Sequence, residues 1–153
     1  MLEIPKAQIA EMIAHALEAD PEECCGILTG ADSVVTGGRR VRNAHDNPVS
    51  RYTMDPLDIM AVEREADDRG EEFVAIYHSH TYSQGYPSET DIRNAVESGW
   101  VDPYYVLVSL VEKTRPVVRA YRISEAGEVS EVFIRVPGAG SYASGRPPAS
   151  QGD

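Results

Sequence analysis

Two histidines separated by one serine, His78-Ser79-His80, are followed, after seven intervening residues, by Ser88-Glu89-Thr90-Asp91. Side chains alternate along a strand, so His78 and His80 project from one face and can share a metal ion. A carboxylate from the first turn of a following helix, Asp91, supplies a third ligand. Two imidazoles and a carboxylate are a set that zinc uses in hydrolases, with the fourth position left to water. Zinc lowers the pKa of its bound water to about 7, but a separate carboxylate must still move protons. Glu22 and Glu23, just ahead of the apolar run that begins at Cys24, are the candidates. Chemistry alone does not choose between them.

Each half of this pattern also has an ordinary explanation. Ser88-Glu89-Thr90-Asp91 is a capping box, in which Ser88 accepts from the Asp91 backbone and Asp91 reaches back to Ser88. An isolated His-x-His pair is often a surface accident. The combination argues for a site, because both patterns adjoin where a core strand becomes a loop and then a helix. The two roles are compatible: Ser88 can orient the segment while Asp91 turns to the metal. His15, beside the apolar stripe of a helix, and His45, in a loop, read as structural or solvent-exposed. Cys24 and Cys25 would point to opposite faces of a strand, as small buried hydrophobes. Trp100 reads as packing.

The elements that must position these residues are legible from periodicity. Ile9, Met12, Ile13, Ala16 and Leu17 make one helical stripe within residues 5–20, which predicts an amphipathic helix packed on a sheet. Residues 24–28, closed by Thr29 and Gly30, predict a buried strand, and a turn at Gly37 and Gly38 precedes a second strand over 40–44. A helix is predicted over 56–68, with Leu57, Met60, Ala61 and Arg64 on one side. The apolar run 73–77 predicts a central strand that delivers His78 and His80, followed by a helix from Ser88 to about residue 98. Strands over 104–111, 117–123 and 129–136 predict antiparallel neighbours, with a turn at 125–127. The last stretch, 137–153, is rich in Gly, Pro, Ser and Ala and predicts a flexible tail after a single domain spanning 1–136.

A chain of 153 residues with 42% hydrophobic and 25% charged residues has the makings of one globular core. No apolar run is long enough to span a membrane and the N-terminus lacks the marks of a signal peptide, so a cytoplasmic protein without a membrane partner is expected. Adjacent cysteines rarely bridge each other, which agrees with a reducing compartment. A formal charge of −11 and the absence of a basic cluster beyond Arg39 and Arg40 argue against nucleic acid as a partner.

With these residues in view, the sequence resembles the JAB1/MPN/Mov34 (JAMM) metalloproteases, whose signature is a distal Glu followed by H-x-H-x7-S-x2-D. His78, His80, Ser88 and Asp91 match at that spacing, and Pro21-Glu22-Glu23-Cys24-Cys25-Gly26 resembles the family's P-x-E-x-C-G segment. That register selects Glu23 over Glu22. The likeness extends through Asn43-Ala44, Pro48 and Met54-Asp55-Pro56 to the strand at 105–109. It implies an α/β fold, a curved mixed sheet flanked by helices on both sides and related in architecture to the cytidine deaminases. It also implies one zinc per chain with a bound water, held by His78, His80 and Asp91. Glu23 would be general base and later proton donor, and Ser88 would hydrogen-bond the oxyanion.

Tyr77-His78-Ser79-His80-Thr81 and Tyr86-Pro87-Ser88 look most like the short bacterial members, the CysO-cysteine peptidase type. These release cysteine from the Gly-Gly C-terminus of a ubiquitin-like sulfur carrier. The resemblance therefore implies such a carrier as partner, its tail lying as an added strand beside the sheet; the residues that would bind it, and the oligomeric state, are not implied. A cytidine deaminase would need H-x-E and P-C-x-x-C, and the chain has neither. The remaining alternatives are a non-catalytic MPN scaffold and a general short-peptide metallopeptidase; the complete ligand set argues against the scaffold.

Overall fold

A computed structural model describes residues 1–138; the tail expected over 137–153 lies, from residue 139 on, outside the described residues. Along the chain run β1 (Leu2–Glu3), α1 (Lys6–Ala19), β2 (Cys25–Ala31), β3 (Val34–Val41), α2 (Pro56–Asp68), β4 (Glu72–His80), α3 (Glu89–Ser98), β5 (Tyr104–Ser109), β6 (Val117–Ile123), β7 (Val129–Val132) and β8 (Ile134–Arg135). The strands form one mixed sheet in the order β7-β6-β5-β4-β2-β3-β1-β8. β4 and β5 are parallel, joined by the α3 crossover, whereas β2 pairs antiparallel with both β3 and β4. The two ends of this order, β7 and β8, are consecutive in the chain with only Phe133 between them. The sheet therefore curves until its edges nearly meet.

Helices cover both faces, as the sequence led us to expect. Met12 and Ala16 of α1 are fully buried in a core with Leu28, Tyr77, Val106 and Val108. Val62 of α2 and Ala95 of α3 pack on the other face with Cys25, Ile27, Ile76 and Tyr105. Burial of a side chain such as Met12 is worth about 1.5–3 kcal/mol. Cys24 and Cys25 fall in different cores, one per face. Burial pushes their thiols up to about 11 and about 12, which makes both inert at neutral pH.

Several predicted boundaries move for identifiable reasons. β2 continues through Thr29 and Gly30, and the chain reverses at Asp32 and Ser33, which take the left-handed φ values of 53° and 65° that a tight hairpin requires. Gly37 and Gly38, expected as the turn, lie inside β3, which starts six residues earlier than predicted and ends at Val41. Gly38 is small because α1 crosses there: a Cβ would fall 2.6 Å from Gln8 Oε1 and 2.9 Å from Leu28 Cδ2.

α2 has the predicted bounds but a different inner face. Val62 and Ala66 are buried, with Ile59 packed beside them, whereas Leu57 and Met60 are 72% and 54% exposed. Both stripes have helical spacing, and the predicted one ends in Arg64, a charge that cannot be buried unpaired. On α1, Leu17 likewise faces outward. β5 stops at Ser109 and the last predicted strand is broken at Phe133. The turn before β7 forms where expected, Gly127 at φ 81° closing back onto the Ser124 carbonyl.

Candidate metal centre

β4 runs through both histidines, so the alternation that places Ile76 on the face covered by α2 and α3 places His78 and His80 there too. The intervening Ser79 points the other way, and its Oγ accepts from the backbone N–H of Cys24 at 2.8 Å, pinning β4 to the entry of β2. After a loop over 81–87, Ser88 caps α3. Its Oγ accepts from Asp91 N at 3.0 Å, and its own N–H donates to Asp91 Oδ2 at 2.9 Å. The predicted capping box is therefore present in full.

The same Asp91 Oδ2 lies 3.1 Å from His78 Nε2 and 3.0 Å from His80 Nε2, and the two imidazole nitrogens are 3.2 Å apart. Cap and histidine cluster thus share one carboxylate oxygen. All three side chains are buried, at 1%, 5% and 9% exposure for His78, His80 and Asp91. His80 Nδ1 is 2.9 Å from the Gln84 carbonyl oxygen. A carbonyl only accepts, so Nδ1 carries the proton and, in the neutral ring, Nε2 presents a lone pair. Tyr52 stacks on the His78 ring with centroids 4.2 Å apart. His78 Nδ1 is buried without a partner among the described residues.

This arrangement fits a divalent cation. Two nitrogens and a carboxylate oxygen packed 3.0–3.2 Å apart concentrate lone pairs on one point. Tetrahedral zinc with bonds of about 2.0–2.1 Å spaces its ligands roughly 3.3 Å apart, close to what is present. Without a cation, the electrostatics divide the charge unevenly. Burial works against an ionised Asp91, but His78, His80 and the Ser88 N–H outweigh it and hold the carboxyl well below its ordinary range. Burial lowers His78, with Asp91 opposing. Burial also pulls on His80, but Asp91 and the Gln84 carbonyl prevail and raise it.

Glu22 is exposed, whereas Glu23 is half-buried just ahead of β2. Burial pushes the Glu23 carboxyl up to about 7; the positive fields of His80 and Arg51 pull it down and Asp91 pushes it further up. Its backbone is held at both ends: the N–H donates to the Pro48 carbonyl at 2.7 Å and the carbonyl accepts from Asn43 Nδ2 at 2.9 Å. His15 and His45 are elsewhere, the first bonded to Tyr77 OH at 2.7 Å and the second accepting from Asn47 N.

Three residues near the cluster were not singled out by sequence reasoning. Gln84 acts through its backbone carbonyl, which leaves no side-chain signal. Tyr52 sits in a loop without periodicity, and beside it a cavity of about 520 Å³ opens between α2 and α3, lined by Ile59, Ile76, Trp100 and Tyr105 among others. Asn43, noted only as part of a resemblance, makes four hydrogen bonds. Nδ2 donates to the carbonyls of Glu23 and Arg51, and Oδ1 accepts from His45 N and Thr53 N.

Comparison with known proteins agrees with this geometry. The family model described as prokaryotic homologs of the JAB domain matches residues 5–124. The CysO-cysteine peptidase of Mycobacterium tuberculosis is 39% identical over 127 residues, covering 82% of this chain and 84% of the relative. A probable TtuB-protein conjugate cleaving protease of Thermus thermophilus is 31% identical over 137 residues, covering 88% and 84%. Among solved structures, protein DSY2949 from Desulfitobacterium hafniense superposes with a TM-score of 0.77 at 31% identity, covering 89% of this chain and 92% of the other.

Proposed function

Because this chain belongs to the family of prokaryotic JAB-domain proteins, we propose that it is a zinc-dependent peptidase of the cytoplasm. Its reaction is hydrolysis of the amide bond after the C-terminal Gly-Gly of a ubiquitin-like sulfur-carrier protein, releasing cysteine. One observation carries this reading: His78 Nε2, His80 Nε2 and Asp91 Oδ2, all buried, converge within 3.2 Å of one another, and the half-buried Glu23 feels the charges of His80 and Asp91. The names of the relatives support the substrate class, since one acts on a CysO-cysteine bond and another on TtuB-protein conjugates.

His78, His80 and Asp91 would hold one zinc, which supplies a Lewis acid that brings a water within reach of deprotonation near neutral pH. Glu23 would take a proton from the attacking water as its oxygen bonds to the scissile carbonyl carbon, and would return that proton to the leaving amine. A carboxyl raised by burial toward 7 suits both tasks. The Ser88 hydroxyl only accepts within the helix cap, so its hydrogen is free to donate to the oxyanion of the tetrahedral intermediate. The carbon–nitrogen bond then breaks, giving the carrier's glycine carboxylate and a free amine. The sheet's edges, β7 and β8, are three and four strands from β4, about 14 Å or more measured along the curved sheet. The histidines face α2 and α3 in the middle of the strand order, so in this reading the last residues of the carrier's tail pass over the face of the sheet to reach the cluster.

The test is to incubate the protein with ubiquitin-like carriers that bear a C-terminal cysteine and to read the intact mass of the carrier. The expected result is loss of one cysteine residue. Glu23→Gln keeps its zinc while turnover falls by about 100-fold or more. Carriers of unchanged mass would overturn the peptidase reading, and a Glu23→Gln variant as fast as the parent would overturn the general-base assignment.

A further inference from the structure

The segment between β3 and α2 passes close to Glu23 and His78, and Asn43 fixes its path. One amide nitrogen, Asn43 Nδ2, donates to the carbonyl of Glu23 at 2.9 Å and to that of Arg51 at 3.0 Å. Two oxygens that share a donor lie within about 6 Å of each other. The next residue, Tyr52, is stacked on His78. Residue 51 is thereby held between the glutamate's backbone and the ring that covers a histidine of the cluster.

The Arg51 side chain is exposed, and among the described residues no carboxylate lies within ion-pair distance of it. Among the described residues its guanidinium donates only to the neighbouring Ser50 carbonyl, at 3.1 Å. The arginines at the end of β3 and just after it behave differently: Arg39 pairs with Glu65, Arg40 with Glu11 and Glu18, and Arg42 with Asp55. In a chain of net charge −11, acids are plentiful, yet Arg51, whose positive field is felt at Glu23, has no ion-pair partner among the described residues.

We propose that Arg51 recognises the leaving group, its guanidinium receiving the free α-carboxylate of a single amino acid joined to the carrier's terminal glycine. This rests on the peptidase reading above and deepens it, because it separates two substrate classes. In a carrier extended by one amino acid, the α-carboxylate is attached to the carbon next to the scissile nitrogen. It must enter beside Glu23 and Asp91, both acids, and a nearby cation offsets that repulsion. In a lysine isopeptide the scissile nitrogen sits at the end of a long aliphatic chain with no free carboxylate beside it. The positive field of Arg51 already reaches Glu23, so the two groups share one electrostatic neighbourhood. A planar guanidinium also matches a carboxylate with two parallel hydrogen bonds, which an ammonium cannot.

The experiment uses a ubiquitin-like protein ending in Gly-Gly, ligated to cysteine as the free acid, to cysteine carboxamide, or through an isopeptide to lysine Nε. Cleavage is followed by intact mass for the parent protein, Arg51→Gln and Arg51→Lys, each checked for zinc content and thermal melting. The parent is expected to prefer the free acid over the carboxamide by about tenfold or more in kcat/KM, the fold-change of one charge-assisted contact. Arg51→Gln brings that ratio close to one, with the loss falling in KM, and Arg51→Lys keeps part of it. Raising the salt concentration lowers the parent's preference, because the contact is exposed. Equal cleavage of acid and carboxamide by the parent, or a preference that survives Arg51→Gln, would overturn the proposal and leave the peptidase reading standing. Failure to cleave any of the three carriers would overturn both.

Discussion

At the scale of single residues, Glu23 makes the sharpest prediction because its proposed role as base and its effect on stability pull in opposite directions. Its carboxyl rises from the ordinary 4.5 to about 7 on folding. An acid whose pKa is higher in the folded state binds more protons folded than unfolded. Its contribution to stability is therefore complete below about pH 4.5 and disappears as pH climbs through 7. The full change would be worth about 3 kcal/mol, which solvent at the half-open side chain reduces to about 1–2 kcal/mol. In zinc-free protein, Glu23→Gln should thus match the parent in urea unfolding at pH 4.5 and exceed it by about 1–2 kcal/mol at pH 8. Equal stability at both pH values would show that the carboxylate is not desolvated. The ligand-spaced residues were legible in the sequence because side-chain alternation and the helix-start pattern are local. Glu23 was distinguishable from Glu22 only by resemblance, since burial of one and exposure of the other depend on how residues 43–54 fold over it.

At the scale of elements, the cluster depends on a strand that continues through both histidines, a helix start that presents Asp91, and the segment between β3 and α2. The first two were written in the sequence: an apolar run leading into His78, and Ser88 with Asp91 at capping distance. The third was not, because it has no period and its order comes from the amide of Asn43. Asn43→Ala leaves the carbonyls of Glu23 and Arg51 and the N–H groups of His45 and Thr53 without that partner. The expected cost is about 1–3 kcal/mol of stability. Turnover should fall by about tenfold while zinc content stays at one per chain, since among the described residues Asn43 makes no side-chain hydrogen bond to His78, His80 or Asp91. Loss of zinc together with turnover would place Asn43 in support of the metal donors instead. The misread hairpin has the same origin. Gly37 and Gly38 looked like a turn, but Gly38 serves the close passage of α1, and the polar pair Asp32 and Ser33 supplies the left-handed turn.

At the scale of the whole molecule, a sheet of eight strands closes until its edges are separated by Phe133, with α1 on one face and α2 and α3 on the other. Curvature of this kind follows from pairings between strands far apart in the chain, such as β1 with β8, and no local pattern announces it. The two-sided helix cover was legible only through the family resemblance, and it suits the continuous apolar strands β4 and β5, which are buried on both faces. Closure also leaves the proposed chemistry in the middle of the sheet, at the end of β4, where a small carrier tail can approach the face. The proposed chemistry depends above all on His78, His80 and Asp91 together holding zinc. Its most direct test is the metal content of the purified protein after dialysis, by elemental analysis, beside His78→Ala and Asp91→Ala. About one zinc per chain in the parent, and near none in either variant while both remain folded by circular dichroism, is the predicted result. A parent that binds no zinc even when it is added, or variants that keep it, would contradict the account.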